Sequence, residues 1–189
     1  MFTLVQDGSI IKHLSGNKGV TIGDIQYPRN IFTLWSAEEK EAIGIYEIVH
    51  NNNNKRDETF YTNTNVSYAF ADGVVTASYG SATAKSLADV TDEDDNVTLG
   101  LKSQKKEFIK HQARSLLTLN DWYVIKATEV ESYSVPSAIT TYRANVRTKS
   151  NDMEVLIDAC STVDELAALY VYNDDTPPIR PLGEFPEAV

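Results

Sequence analysis

Along the first 80 residues, short apolar runs alternate with polar residues and are separated by turn signals. Two Asp-Gly pairs, Asp7–Gly8 and Asp72–Gly73, lie between such runs, and this placement is typical of a tight β-hairpin. Ser36 is followed three residues later by Glu39, a spacing that predicts a capping box and one short helix. The pattern therefore predicts a small β-rich domain over residues 1–80.

Residues 81–98 differ from what precedes them because they are mostly small, polar and acidic. They include four consecutive carboxylates, Asp92–Asp95. A calcium loop would need alternating oxygen ligands, a central glycine and a distal glutamate, and this run lacks that order. We therefore interpret residues 81–98 as an acidic linker and not as a metal site.

Beyond the linker, apolar residues recur at intervals of three and four, which predicts a helical domain over residues 99–171. Asp121 can cap a short helix, and Pro136 precedes a long one, since proline is tolerated at the start of a helix. A second capping signal lies at Ser161–Glu165. Prolines punctuate residues 172–189, which predicts an extended tail. The predicted fold class is α+β.

The charge of the chain argues against a nucleic-acid partner. Its 17 Lys and Arg face 27 Asp and Glu, for a net charge of −10. Both halves are acidic, whereas binding to phosphates needs a basic surface. A local basic run that includes Lys110 and Arg114 is interpreted as a solvated helix face. No apolar run approaches the roughly 20 residues of a membrane span, so no membrane partner is expected.

Candidate chemistry is sparse. The three histidines do not have the spacing of a zinc site, and the single cysteine, Cys160, is interpreted as a small buried residue at a helix end. Phosphate loops, dinucleotide-binding glycine patterns and nucleophile elbows are absent from the sequence. We expect no cofactor and no enzymatic activity.

One stretch of the second part, residues 116–147, has a distinctive order of features. Asp121–Trp122 follows a predicted helix, Pro136 follows a predicted loop, and Tyr142–Arg143 is followed by Arg147. This order resembles a helical module in tail fibre assembly proteins, and in related tail proteins, of tailed bacteriophages. The resemblance continues in residues 149–170. A looser resemblance to the β-rich head of such proteins in marine and cyanobacterial phages covers residues 9–14, 22–28 and 32–48.

The resemblance implies a structural tail protein that joins or decorates the tail or baseplate and the tail fibre. Its partners would be tail fibre or baseplate proteins, within a homo- or hetero-oligomer. It would be made in the cytoplasm of the host bacterium and reside in the virion tail. Two alternatives stay open, namely a tail fibre assembly chaperone that leaves the virion and, less favoured, a tail-associated hydrolase.

The module residues also have a direct physical interpretation. Trp122 and Tyr142 are large anchors of the kind that a small helical core needs. Asp121 can meet Arg143 or Arg147, because a guanidinium fork suits a carboxylate. We interpret all five as residues that lock the helices together, in preference to partner contacts.

The tail supplies a second set of candidates. Ile179, Arg180, Leu182 and Phe185 lie among prolines that would hold the chain extended, so they could dock onto a neighbouring protein at little entropic cost. The alternative is that the tail folds back onto its own helices.

Overall fold

A computed structural model describes residues 1–188 of the chain. It divides into two compact units, one of residues 1–83 and one that begins at Ala84. The first unit is built mainly of strands and the second mainly of helices, which confirms the predicted α+β class. Across the described residues, no helix combines the length and the apolar character that membrane crossing requires.

The first unit contains eight short strands, two short helices and the first residue of a ninth strand, which spans the boundary between the units. Its strands are β1 (Phe2–Gln6), β2 (Ser9–Leu14), β3 (Val20–Ile22), β4 (Ile25–Tyr27), β5 (Ile45–Asn51), β6 (Tyr61–Thr62), β7 (Val66–Ala71), β8 (Val74–Tyr79) and β9 (Thr83–Ala84). Its helices are α1 (Ile31–Leu34) and α2 (Ala37–Glu41). Five of the strands form one mixed sheet in the order β2-β1-β5-β8-β7, in which only β5 and β8 pair in parallel.

Local sequence signals explain the turns of this unit. Asp7 and Gly8 have φ angles of 51° and 75°, and Asp72 and Gly73 have 50° and 76°. Both pairs thus adopt the left-handed conformation that a two-residue hairpin turn requires, and both predicted hairpins are confirmed. The predicted capping box is also present, because Ser36 Oγ accepts the backbone N–H of Glu39 at 3.2 Å and the Glu39 carboxylate accepts that of Ser36 at 2.8 Å.

The sheet buries side chains on both faces. Leu4 and Val5 are neighbours on β1, so they point to opposite sides. Leu4 packs in a cluster with Phe32 and Ile45, and Val5 packs in another with Val75. The first unit therefore has its own core.

The second unit begins within the segment predicted to be an acidic linker, and that prediction is corrected here. Residues from Ala84 onward belong to this unit, and they include a small hairpin of β10 (Val90–Thr91) and β11 (Val97–Thr98). The Asp89 carboxylate accepts the N–H of Gly100 at 2.8 Å and the hydroxyl of Ser103 at 3.0 Å. A helix start offers unpaired N–H groups, and this segment supplies acceptors for them.

Four helices follow, namely α3 (Leu101–Thr118), α4 (Asp121–Glu129), α5 (Ser137–Ala159) and α6 (Val163–Ala168). Pro136 immediately precedes α5, and a capping box of Thr162 and Glu165 begins α6, as predicted. The α3 and α5 helices pack together through a core of Ala113, Tyr142 and Val146.

The tail folds back onto this helical unit. The backbone N–H of Leu182 donates to the carbonyl of Leu169 at 3.1 Å, and the Leu182 side chain is only 2% exposed. Phe185 packs against the cluster that contains Tyr142. Of the two alternatives for the tail, the structure has the one in which the tail covers its own helices.

Candidate functional site

A groove of about 740 Å³ lies between α3 and α5, beside the first residue of α4. Ala113 and Leu117 supply apolar lining, and six charged residues surround it. Four are cations and two are carboxylates, so the groove carries a formal excess of two positive charges in a chain whose net charge is −10. We call it the basic groove; its charged residues are Lys110, Arg114, Arg143, Arg147, Asp121 and Glu154.

Arg143 connects three helices at the groove. Its guanidinium contacts the Asp121 carboxylate at 2.8 Å and donates to the carbonyl of Leu117 at 2.7 Å. That carbonyl lies in the last turn of α3 and also accepts the backbone N–H of Asn120 at 3.1 Å. The predicted contact between Asp121 and Arg143 is confirmed. The two contacts of the Arg143 guanidinium connect α5 to the end of α3 and to the start of α4.

The predicted capping role of Asp121 is wrong. Asp121 is the first residue of α4 and Asn120 is the cap, without a side-chain capping bond. The reason is that the Asp121 carboxylate faces Arg143. Arg147 does not lock the helices through an ion pair in the described chain, since its guanidinium donates only to the backbone carbonyl of Arg143, at 3.3 Å.

The three other cations of the basic groove differ in how far their charges are neutralised. Lys110 pairs with Glu154 at 3.2 Å. Arg114 and Arg147 are exposed, and within residues 1–188 neither forms a salt bridge. The excess charge of the basic groove therefore resides on these two arginines.

Sequence reasoning missed the groove because it assigned Lys110 and Arg114 to a solvated face. A signal was present, since each helix carries two cations four residues apart, Lys110 with Arg114 and Arg143 with Arg147. Residues at that spacing share a helix face. Only the packing of α3 against α5 brings the two pairs together.

The prediction that Trp122 is a buried anchor is also wrong, whereas Tyr142 is buried at 3% exposure as predicted. Trp122 is 50% exposed and lies against the neighbouring ring of Tyr123, with 3.8 Å between ring centroids. In fact α4 has no buried residue. Large exposed apolar residues, which we call the apolar α4 surface, occur on and beside it: Leu119, Trp122, Val124, Ile125 and Val130.

Three of the four tail candidates are engaged within their own unit, which corrects their predicted role in docking. Leu182 is buried, Phe185 packs against the core, and Arg180 pairs with Glu184 at 2.7 Å. Only Ile179 is largely exposed, at 57%. Apolar residues between prolines fit a foreign pocket and the protein's own helices equally well, so the sequence could not distinguish the two.

Cys160 follows α5 and is buried, as predicted. Burial raises the pKa of its thiol, which keeps it protonated and poorly nucleophilic. In the described part of the chain, no group of three or more His, Cys, Asp or Glu is placed to hold a metal ion. The groove and the α4 surface are therefore the features from which a function can be argued.

Comparisons with protein-family models, with characterised proteins and with solved structures found no match for this chain. Its function is therefore inferred from its own residues and surfaces.

Proposed function

We propose that this chain is a structural protein of the tail of a tailed bacteriophage, which joins or decorates the tail or baseplate and the tail fibre. The observation that supports this role most directly is the apolar α4 surface. Several large apolar side chains that are exposed on and beside one short helix favour a site that another protein covers.

The residues of α4 suit such a contact. Trp122 and Ile125 are three positions apart, so they lie on the same helix face, and they are 50% and 56% exposed. Tryptophan contributes strongly to binding energy at protein interfaces. An exposed helix with an apolar stripe can be received by a groove on a partner.

The sequence resemblance supplies the kind of partner. Asp121, Trp122 and Arg143 belong to the pattern that resembles tail fibre assembly proteins. Asp121 and Arg143 meet at the start of α4, where Trp122 is the second residue. The ion pair of Asp121 and Arg143 fixes this end of the helix while the apolar side chains stay outside. Tail fibre or baseplate proteins are therefore the proposed partners.

The test is mass spectrometry of purified virions of the phage that encodes the chain. We expect the protein at a fixed copy number. With Ile125→Glu introduced into the phage genome, the protein should be lost from virions, because a charge would be buried at the interface. The purified variant should keep the wild-type melting temperature, because the side chain is exposed. Leu34→Glu, at another exposed apolar position (74%), is the matched control and should be retained.

The alternatives give different results. A protein that is absent from virions, yet needed for fibres to form, would be an assembly chaperone. A protein that is absent and dispensable for fibres would refute both tail roles. Normal incorporation of Ile125→Glu would show that the apolar α4 surface is not the contact.

A further inference from the structure

We propose that the basic groove receives the acidic hairpin of a second copy of this chain, so that copies associate head to tail. The acidic hairpin consists of β10, β11 and the loop between them, residues 90–98. This contact is separate from the apolar α4 surface and does not depend on the phage role.

The groove supplies the basic half of the contact. Arg114 and Arg147 are exposed on its two helices and carry its excess positive charge. Guanidinium groups form two parallel hydrogen bonds to a carboxylate, which gives both strength and geometry. The volume of about 740 Å³ lies in the range of sites that enclose a small ligand, and it can admit the tip of a loop.

The hairpin supplies the acidic half in a preorganised form. The Asp92 carboxylate accepts the backbone N–H groups of Asp94 and Asn96, both at 2.9 Å, so it is used inside the loop. A backbone bond from Asp92 to the Asn96 carbonyl at 3.1 Å closes the turn. A loop held in this way loses little conformational entropy when it binds.

Three carboxylates stay directed at solvent as a result. Glu93, Asp94 and Asp95 are exposed, and none of them forms a salt bridge within residues 1–188. The groove of the same copy is not lined by any of them. Arginines and carboxylates that form no salt bridge in the described chain thus occur at different places on one unit, and a second copy can bring them together.

Other anionic occupants fit less well. A nucleic acid would be repelled by a chain of net charge −10, and two arginines release few counterions. The same net charge opposes the approach of two copies at long range. At physiological ionic strength this repulsion is screened beyond about 8 Å, so the contacting charges dominate.

The geometry has a consequence for assembly. The two surfaces differ, so the contact is heterologous, and repeating it produces a closed ring or an open filament. The proposed contact is therefore not that of an isologous dimer, in which both copies use the same patch.

The test is sedimentation velocity over a concentration series at physiological ionic strength. We expect the wild-type chain to associate as its concentration rises. The two charge-reversal variants are Arg114→Glu/Arg147→Glu in the groove and Glu93→Lys/Asp94→Lys in the hairpin. Each should raise the dissociation constant by at least about tenfold for every ion pair that it reverses. An equimolar mixture of the two variants should associate again, because the unaltered hairpin of the groove variant can bind the unaltered groove of the hairpin variant, and the two charge-reversed surfaces also attract each other. Lys12→Glu/Lys18→Glu makes the same charge change as the groove variant and should leave association unchanged.

Several results would overturn the proposal. They are a wild-type chain that stays monomeric, a groove variant that associates normally, or a mixture that fails to recover. If the groove variant loses association and the hairpin variant does not, a different acidic segment occupies the groove. If the wild-type chain binds a labelled oligonucleotide more tightly than it binds a second copy, the groove is a nucleic-acid site. Loss of association with Ile125→Glu alone would assign it to the apolar α4 surface. Incorporation into virions is measured separately. A chain that does not self-associate therefore leaves the proposed function unaffected.

Discussion

The ion pair of Asp121 and Arg143 offers a direct test of how the helical unit is held together. Asp121→Asn keeps the size of the side chain and removes the charge that faces Arg143. The Arg143 residue is only 9% exposed, so its guanidinium cannot regain full solvation. Its bond to the Leu117 carbonyl at 2.7 Å remains in the variant.

The size of the effect follows from the burial of the two partners. Removing one partner of a fully buried pair costs about 3–5 kcal/mol, whereas an exposed pair contributes roughly 0–1 kcal/mol. The Asp121 side chain is 48% exposed and that of Arg143 is 10% exposed, so the pair lies between these limits. The amide oxygen of asparagine can still accept one hydrogen bond. We therefore expect a loss of about 1–2 kcal/mol, or roughly 5–10 °C in melting temperature for a unit of this size.

The assay uses the two tryptophans of the chain, Trp35 in the first unit and Trp122 in the second. In a Trp35→Phe background, the fluorescence of Trp122 reports the unfolding of the second unit. Asp152→Asn is the control, because it removes the same charge from an exposed position on α5. If Asp121→Asn unfolds at the same urea concentration as the control, the ion pair contributes nothing and the reasoning fails.

Two further variants test other contacts of the second unit. Leu182→Ala should lower the free energy of unfolding by about 2–5 kcal/mol because it leaves a cavity, whereas the exposed Ile179→Ala should change it by less than about 0.5 kcal/mol; equal urea midpoints would refute the packing of the tail. The backbone N–H of Gly100 and the hydroxyl of Ser103 hold the pKa of the Asp89 carboxyl below its usual range. The contribution of the Asp89 carboxylate to the free energy of unfolding is therefore complete above the unfolded pKa of about 3.9. It is lost as the pH falls through the pKa of the folded state. Asp89→Asn should be less stable than wild type at neutral pH and equally stable in strong acid; a deficit that does not change with pH would contradict this assignment.

Elements that depend on neighbouring residues were predictable from the sequence. The Asp-Gly turns and the capping box at Ser36 need only a few residues in a row, because each is held by hydrogen bonds between close neighbours. The start of α5 after Pro136 belongs to the same class.

Features that depend on distant residues were not predictable. The parallel pairing of β5 with β8 joins residues such as Ile48 and Val75, and no local pattern specifies it. Residues 81–98 resemble a linker in composition, yet Asp89 uses its carboxylate to fix the start of α3. The basic groove likewise exists only because α3 and α5 pack side by side.

The contrast between Trp122 and Tyr142 shows what an apolar pattern leaves undecided. Both are large aromatic residues on helices, but Tyr142 is 3% exposed and Trp122 is 50% exposed. Tyr142 lies on the 23-residue α5, which packs along α3, whereas α4 has nine residues and is fixed at its first residue by Arg143.

A small unit gains stability from each apolar side chain that it buries, yet the second unit leaves Trp122 and Ile125 exposed to solvent. These two residues therefore add little to the stability of the isolated chain, and their apolar character is explained if a partner covers them. A periodic apolar pattern indicates that a helix face is covered, but it does not indicate whether the cover is the same chain or another. For Trp122 and Ile125, which are 50% and 56% exposed, the structure removes the first possibility, and that is the physical basis for proposing that a partner covers them.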